Sequence, residues 1–160
     1  MNRHDLKTIS EQMKAKHGQF KKKVCVCCGA GCISSGSEAV LKGLQDEVKL
    51  QGKENEIEVV PSGCMGPCNQ GPLVKVNPGQ TIYQQVDGQK IPVIIKDHLL
   101  ADQPIADMVL FAQLREKPFI NSMEDPFYKK QHKIVLADCG DLNPESLEDY
   151  IFFGGYQALD

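Results

Sequence analysis

Two cysteine loops constrain this chain more than any other feature. In Cys27-Cys28-Gly29-Ala30-Gly31-Cys32, four residues separate the first and last cysteines; in Cys64-Met65-Gly66-Pro67-Cys68, three do. Each loop directly follows a strand-like run, Lys23-Val24-Cys25-Val26-Cys27 in one case and Glu56-Ile57-Glu58-Val59-Val60 in the other. Glycines beside the thiols let backbone N–H groups come close to sulfur, because no Cβ stands in the way. A fold that joins the two loops collects the thiols of Cys27, Cys32, Cys64 and Cys68 at one place, which makes them candidate metal ligands.

The surrounding pattern supplies such a fold. Leu6, Ile9 and Met13 recur at helical steps and predict an amphipathic helix over residues 2–17, ended by Gly18. Ser34 to Ser37 offer N-caps for a helix that carries Val40, Leu41, Leu44 and Val48 to about Leu50, with Gly52 beyond it. The second strand ends at Pro61. Leu73 to Val76 and Thr81 to Tyr83 are strands joined by the Asn77-Pro78-Gly79-Gln80 turn. Asp87 then caps a helix to about Leu100, with Pro92 in its first turn. The order α-β-α-β-β-β-α is the layout of a thioredoxin-like α/β domain. Its β-α-β part implies a parallel pair, and both cysteine loops fall at the C-terminal ends of those strands.

After Leu114 the texture changes. Arg115 to Lys130 is rich in proline and charge and reads as a linker or extended arm. Ile134-Val135-Leu136 reads as one more strand. Asn143 is the expected N-cap of a last helix, with Pro144 at its first position, running to Phe153 and ending at Gly154-Gly155.

Charge and composition remove several function classes. A formal net charge of −3 gives no reason for nucleic-acid or membrane-surface binding. Lys21-Lys22-Lys23 and Lys129-Lys130 are read as solvated flanks. No apolar run nears the ~20 residues of a membrane span, and residues 1–20 lack an apolar leader core, so the expected location is cytoplasmic. In a reducing compartment, seven cysteines point to metal or redox chemistry rather than disulfides.

Three chemistries fit the thiols. Paired thiolates suit a [2Fe–2S] cluster, two on each iron. Four thiolates also suit zinc. Cys25 and Cys28 form a C-x-x-C, but Cys25 lies inside a strand, not at the helix N-terminus where thiol pKa values fall. Cys25 and Cys28 are therefore read as a buried small side chain and a spare thiol, and Cys139 as an isolated turn cysteine. The histidines make no ligand pair. There is no G-x-S-x-G, P-loop or G-x-G-x-x-G motif, and Asp138, Asp141 and Glu145 are read as partners of a helix N-terminus. No complete active site for substrate turnover is present.

Val26-Cys27-Cys28-Gly29-Ala30-Gly31-Cys32-Ile33-Ser34-Ser35-Gly36-Ser37 resembles the first cluster motif of thioredoxin-like [2Fe–2S] ferredoxin domains. Ser62-Gly63-Cys64-Met65-Gly66-Pro67-Cys68-Asn69-Gln70-Gly71-Pro72-Leu73-Val74 resembles the second, and Asp97-His98-Leu99-Leu100 resembles the closing helix. The resemblance implies a [2Fe–2S] cluster ligated by Cys27, Cys32, Cys64 and Cys68, in a thioredoxin-like domain with an extended C-terminal arm ending in a helix.

The tail carries a second resemblance. Pro118-Phe119, Gln131 to Gly140, Pro144 to Tyr150 and Gly154 to Leu159 look like the opening of the flavoprotein (NADH-binding) subunit of complex I-like NADH dehydrogenases and NAD-linked, electron-bifurcating hydrogenases. This implies an N-terminal helix (1–20), a cluster domain (21–110), a linker (111–130) and the incomplete start of a flavoprotein-type domain (131–160). The glycine-rich FMN and NADH segment of that family follows this point, so a truncated or split subunit is expected. Neither FMN nor NADH is expected on this chain alone. The implied role is an electron-transfer module within an oxidoreductase. Its implied partners are a flavin/NADH-binding domain or subunit and other iron–sulfur subunits, with no nucleic acid, no direct membrane insertion and a homodimer as a compatible state. The alternative is a zinc-bound or metal-free adaptor that docks a flavoprotein.

Overall fold

Lys22–Cys27 forms β1, the strand on which the sheet is built in the computed structural model, which describes residues 3–159. Asn2, where the expected first helix begins, and Asp160 lie outside the described residues. β2 (Ile57–Ser62) runs parallel to β1, with Cys27 opposite Ser62. β3 (Val74–Asn77) runs antiparallel on the other side of β1, with Val26 opposite Val74, and β4 (Thr81–Tyr83) completes the order β2-β1-β3-β4. The expected thioredoxin-like α/β topology is therefore formed. β2 extends through Pro61 to Ser62, which an edge strand tolerates because no inner neighbour needs the missing N–H.

Side-chain alternation divides the sheet into two faces. Val24, Val26, Val74 and Val76 face a core completed by Val40, Leu44, Val48, Ile91, Ile94 and Leu99. These come from α3 (Ser37–Leu50) and from α4 (Lys90–Val93), which continues as a π-helical segment, Ile94–Leu100. Asp87 Oδ1 accepts from the N–H groups of Gln89 and Lys90, so the expected cap is in place. The π-helical register leaves no mark in apolar spacing. A short extra helix, α2 (Ala30–Ser34), occupies the first cysteine loop ahead of α3.

The other sheet face carries Cys25, Cys27, Leu73 and Ile82, and the chain's own tail covers it with Leu110 and Tyr128. α1 (Arg3–Gln19) runs one residue past Gly18 and packs on α6 (Leu147–Phe152). Residues read as linker or arm pack on the sheet. Arg115 grips buried Asp125 through two 2.9 Å hydrogen bonds, and α5 (Pro126–Lys129) buries Tyr128.

Three expectations are corrected. Ile134-Val135-Leu136 is not a strand: Ala137 N–H donates back to the Ile134 carbonyl in a turn, and Val135 is 94% exposed. These residues pair with neither sheet edge, so the apolar run alone does not make a strand. The last helix starts later than expected, with Ser146 as its N-cap accepting from Asp149 N–H. Asn143 instead turns its side-chain Oδ1 onto Glu145 N–H, the local bond that competes with helix initiation. Lys22 and Lys23 are not solvated flanks: Lys22 pairs with Asp102, and Lys23 lies near Glu58 and Asp149.

Candidate metal centre

β1 delivers Cys27 to the sheet's C-terminal edge, where its N–H donates to the Leu73 carbonyl at 2.9 Å. Cys28 N–H donates to the Ser62 carbonyl at 2.8 Å, extending the parallel pairing into the loop and fixing the two loops side by side. α2 then turns Cys32 back into the interior. Cys27 and Cys32 are each 1% exposed. Cys64 follows β2 half-buried, and Cys68 opens the 3₁₀ turn Cys68–Gln70 at the surface.

The thiols come as two pairs. Cys64 Sγ and Cys68 Sγ stand 3.8 Å apart. Burial pushes the Cys32 thiol up to about 12, and the hydrogen-bonded Cys27 beside it adds to the shift. Cys68 is raised chiefly by its contact with Cys64. All four sequence-predicted ligands therefore lie at one sheet edge.

Glycines make this packing possible. A Cβ on Gly29 would stand 3.1 Å from Cys64 Cβ, and one on Gly31 would stand 3.1 Å from Cys68 Cβ. A Cβ on Gly71 would meet Cys32 Sγ at 2.8 Å. The first loop's glycines thus face the second loop's cysteines, and a glycine after the second loop faces a cysteine of the first. This reciprocal cradle fits a centre held by two cysteine pairs. Among the described residues, no three Cys, His, Asp or Glu side chains stand close enough together to hold a single metal ion.

The remaining thiols are Cys25, Cys28 and Cys139. Cys25 is fully buried on the sheet face that the tail covers, and burial raises its pKa to about 12. Burial also raises Cys28 and Cys139. Cys139 lies against Gly63, directly before Cys64. His98 is buried, 2.7 Å from the Tyr83 hydroxyl. Asp141 is no helix-terminus partner: both its oxygens accept from buried Lys75 at 2.8 Å. A cavity of about 440 Å³ between Phe20, Pro78 and Phe152 is lined by no cysteine and is not this site.

The sequence reading missed residues of the tail that touch the second loop. Tyr128 Oη donates to the Met65 carbonyl at 3.0 Å, Lys133 Nζ to the same oxygen at 3.3 Å, and Gly140 N–H to Ser62 Oγ at 2.7 Å. No periodicity or spacing announces contacts between segments so far apart in the chain.

A parallel β-α-β unit with two cysteine pairs at its C-terminal edge defines a small α/β metal–sulfur domain. The profile of thioredoxin-like [2Fe-2S] ferredoxins matches residues 11–99, and the chain belongs to that family. The 2Fe-2S ferredoxin of Aquifex aeolicus (strain VF5) is 29% identical over 80 residues, covering 49% of this chain and 72% of that protein. The 2Fe-2S ferredoxin of Clostridium pasteurianum is 29% identical over 90 residues, covering 52% and 85%. The 1.5 Å crystal structure of the wild-type Aquifex aeolicus thioredoxin-like [2Fe-2S] ferredoxin superimposes with a TM-score of 0.53 at 26% identity, covering 57% of this chain and 97% of that one. The chain thus contains an electron-transfer domain of the [2Fe–2S] ferredoxin type. Among the described residues, no helix is long and apolar enough to cross a membrane.

Proposed function

We propose that Cys27, Cys32, Cys64 and Cys68 hold one [2Fe–2S] cluster, and that this chain relays single electrons next to the flavin of an NADH dehydrogenase or NAD-linked hydrogenase complex. The observation that carries the ligand assignment is the reciprocal cradle, Gly29 and Gly31 against Cys64 and Cys68, and Gly71 against Cys32. When bound, the cluster supplies reversible one-electron chemistry at a potential set by its surroundings.

The chain's own residues supply the rest. Buried Cys27 and Cys32 fix the inner side of the site and exclude water from it. Exposed Cys68 brings the outer side to the surface, where a partner can approach. The β1–β2 ladder holds the two loops in register, so electron exchange requires little movement of the ligands.

The complex-level reading rests on the tail. Residues 131–159 carry the flavoprotein-like motifs, and Lys133, Cys139 and Gly140 touch the second cysteine loop. A flavin domain or subunit docked on that tail sits beside the cluster. Ile134 and Val135 are largely exposed, with Leu136 beside them, a compact apolar surface of the kind partners cover. In this reading residues 21–110 are the cluster domain, 111–130 connect it, and 131–160 open a flavoprotein-type domain. FMN and NADH belong to the partner, and the assembly is cytoplasmic.

The test is anaerobic purification of the tagged chain from its native cells. The expected result is a copurifying FMN protein and reduction of the chain's cluster on adding NADH, with no NADH-driven reduction of the chain alone. A clustered chain that copurifies without flavin and is not reduced by NADH in the purified assembly contradicts the complex-level reading.

A further inference from the structure

The Met65 carbonyl, next to Cys64, accepts hydrogen bonds from two side chains of the tail, the Tyr128 hydroxyl and the Lys133 ammonium. Lys133 Nζ also lies 4.7 Å from the centre of the Tyr128 ring, which holds a cation on its face. Tyr128 is buried and Lys133 half-buried, so this cation lies between tail and loop rather than in open solvent.

The cysteine loops contain no other charge. Residues 27–37 and 61–74 include no Asp, Glu, Lys, Arg or His. Lys75, the nearby buried lysine, is neutralised by both oxygens of Asp141. Lys133 is a cation with no ion-pair partner among the described residues, resting on the peptide that follows a proposed ligand.

We propose that Lys133 tunes the reduction potential of the centre held by Cys27, Cys32, Cys64 and Cys68, raising it by stabilising the reduced form. The inference rests on the cluster assignment above. Reduction adds one electron and no proton to a centre that already carries a net negative charge, turning a dianion into a trianion. A fixed cation in a partly desolvated position favours the more negative state. The Tyr128 ring and the Met65 carbonyl orient that cation, so Lys133 acts as a positioning and charge residue and not as a ligand. A tail that moved away from Met65 would take the cation with it, so docking of the tail and ease of reduction are linked.

The test is a dithionite titration of the full chain, monitored by EPR, for wild type, Lys133→Gln, Lys133→Arg and Lys130→Gln. Lys133→Gln keeps a donor for the Met65 carbonyl and removes the charge. At a fixed solution potential its reduced-to-oxidised ratio should fall about tenfold, or about 59 mV for a one-electron couple. Lys133→Arg should stay near wild type, as should Lys130→Gln, which removes a charge from an exposed site. Should Lys133→Gln fail to assemble, Lys133→Met is read the same way. A Lys133→Gln potential equal to that of Lys130→Gln overturns the inference alone. A wild type without iron and sulfide overturns the cluster assignment and this inference with it.

Discussion

A Cβ added to Gly63 would stand 2.5 Å from Cys139 Sγ, so the residue before Cys64 is glycine where a thiol from the tail needs its space. Close by, Gly140 N–H donates to Ser62 Oγ. The tail is keyed into the second cysteine loop at its root.

This contact can be tested by a double-mutant cycle. Gly63→Ala should cost about 1–3 kcal/mol in denaturant unfolding, the usual range for overpacking a filled site. Cys139→Ala should recover most of that loss, because it removes the sulfur that the new methyl meets. Strictly additive effects would show that the two residues do not share this space.

The four-cysteine assignment separates the seven thiols. Cys64→Ser should weaken or abolish the cluster's absorbance and iron content, whereas Cys139→Ser and Cys25→Ser should retain both. Loss of iron in Cys139→Ser would make the proposed ligand set wrong.

The glycine cradle gives a graded series. Gly71→Ala should most reduce cluster assembly, since its methyl meets Cys32 Sγ at 2.8 Å and the Cys68 carbonyl at 3.2 Å. Gly31→Ala, with one 3.1 Å contact to Cys68 Cβ, should do so less. Gly18→Ala in α1 meets nothing within 4 Å and should leave assembly unchanged while stabilising the fold by up to about 1 kcal/mol. Iron-to-protein ratios across the three variants check the order, and equal losses would remove the steric argument.

Burial lowers the His98 pKa from 6.5 to about 4, with Lys22 contributing. The folded chain keeps this imidazole neutral, and the unfolded chain protonates it more readily. Unfolding therefore takes up a proton between these values, and stability present above pH 6.5 declines as pH falls toward about 4. The slope from this group approaches about 1.4 kcal/mol per pH unit. Urea melts at pH 7 and pH 5 should show the decline in wild type and a shallower one in His98→Gln. An equal decline in both would remove His98 as its cause.

The sheet and the cysteine edge are legible because their signals are local. Val40, Leu44 and Val48 are spaced for one helix face and are all buried. The two cysteine loops follow strands whose parallel pairing places them together. What escaped the sequence depends on distant partners. In Val74-Lys75-Val76 the alternation sends Lys75 away from the helix-covered face, as on a solvated sheet. Yet Lys75 is 4% exposed, because the tail covers that face and Asp141 supplies the counter-charge. Asp125, a polar residue in a proline-rich stretch, is buried because Arg115 satisfies it. Conversely, Ile134 and Val135 look like core and lie outside, since neither joins the sheet.

The most direct measurement is the metal and sulfide content of the anaerobically purified full chain, with EPR after dithionite reduction. The expected result is about two irons and about two acid-labile sulfides per chain, with a signal from a one-electron-reduced cluster. A stoichiometric zinc content with no sulfide and no signal would contradict the account.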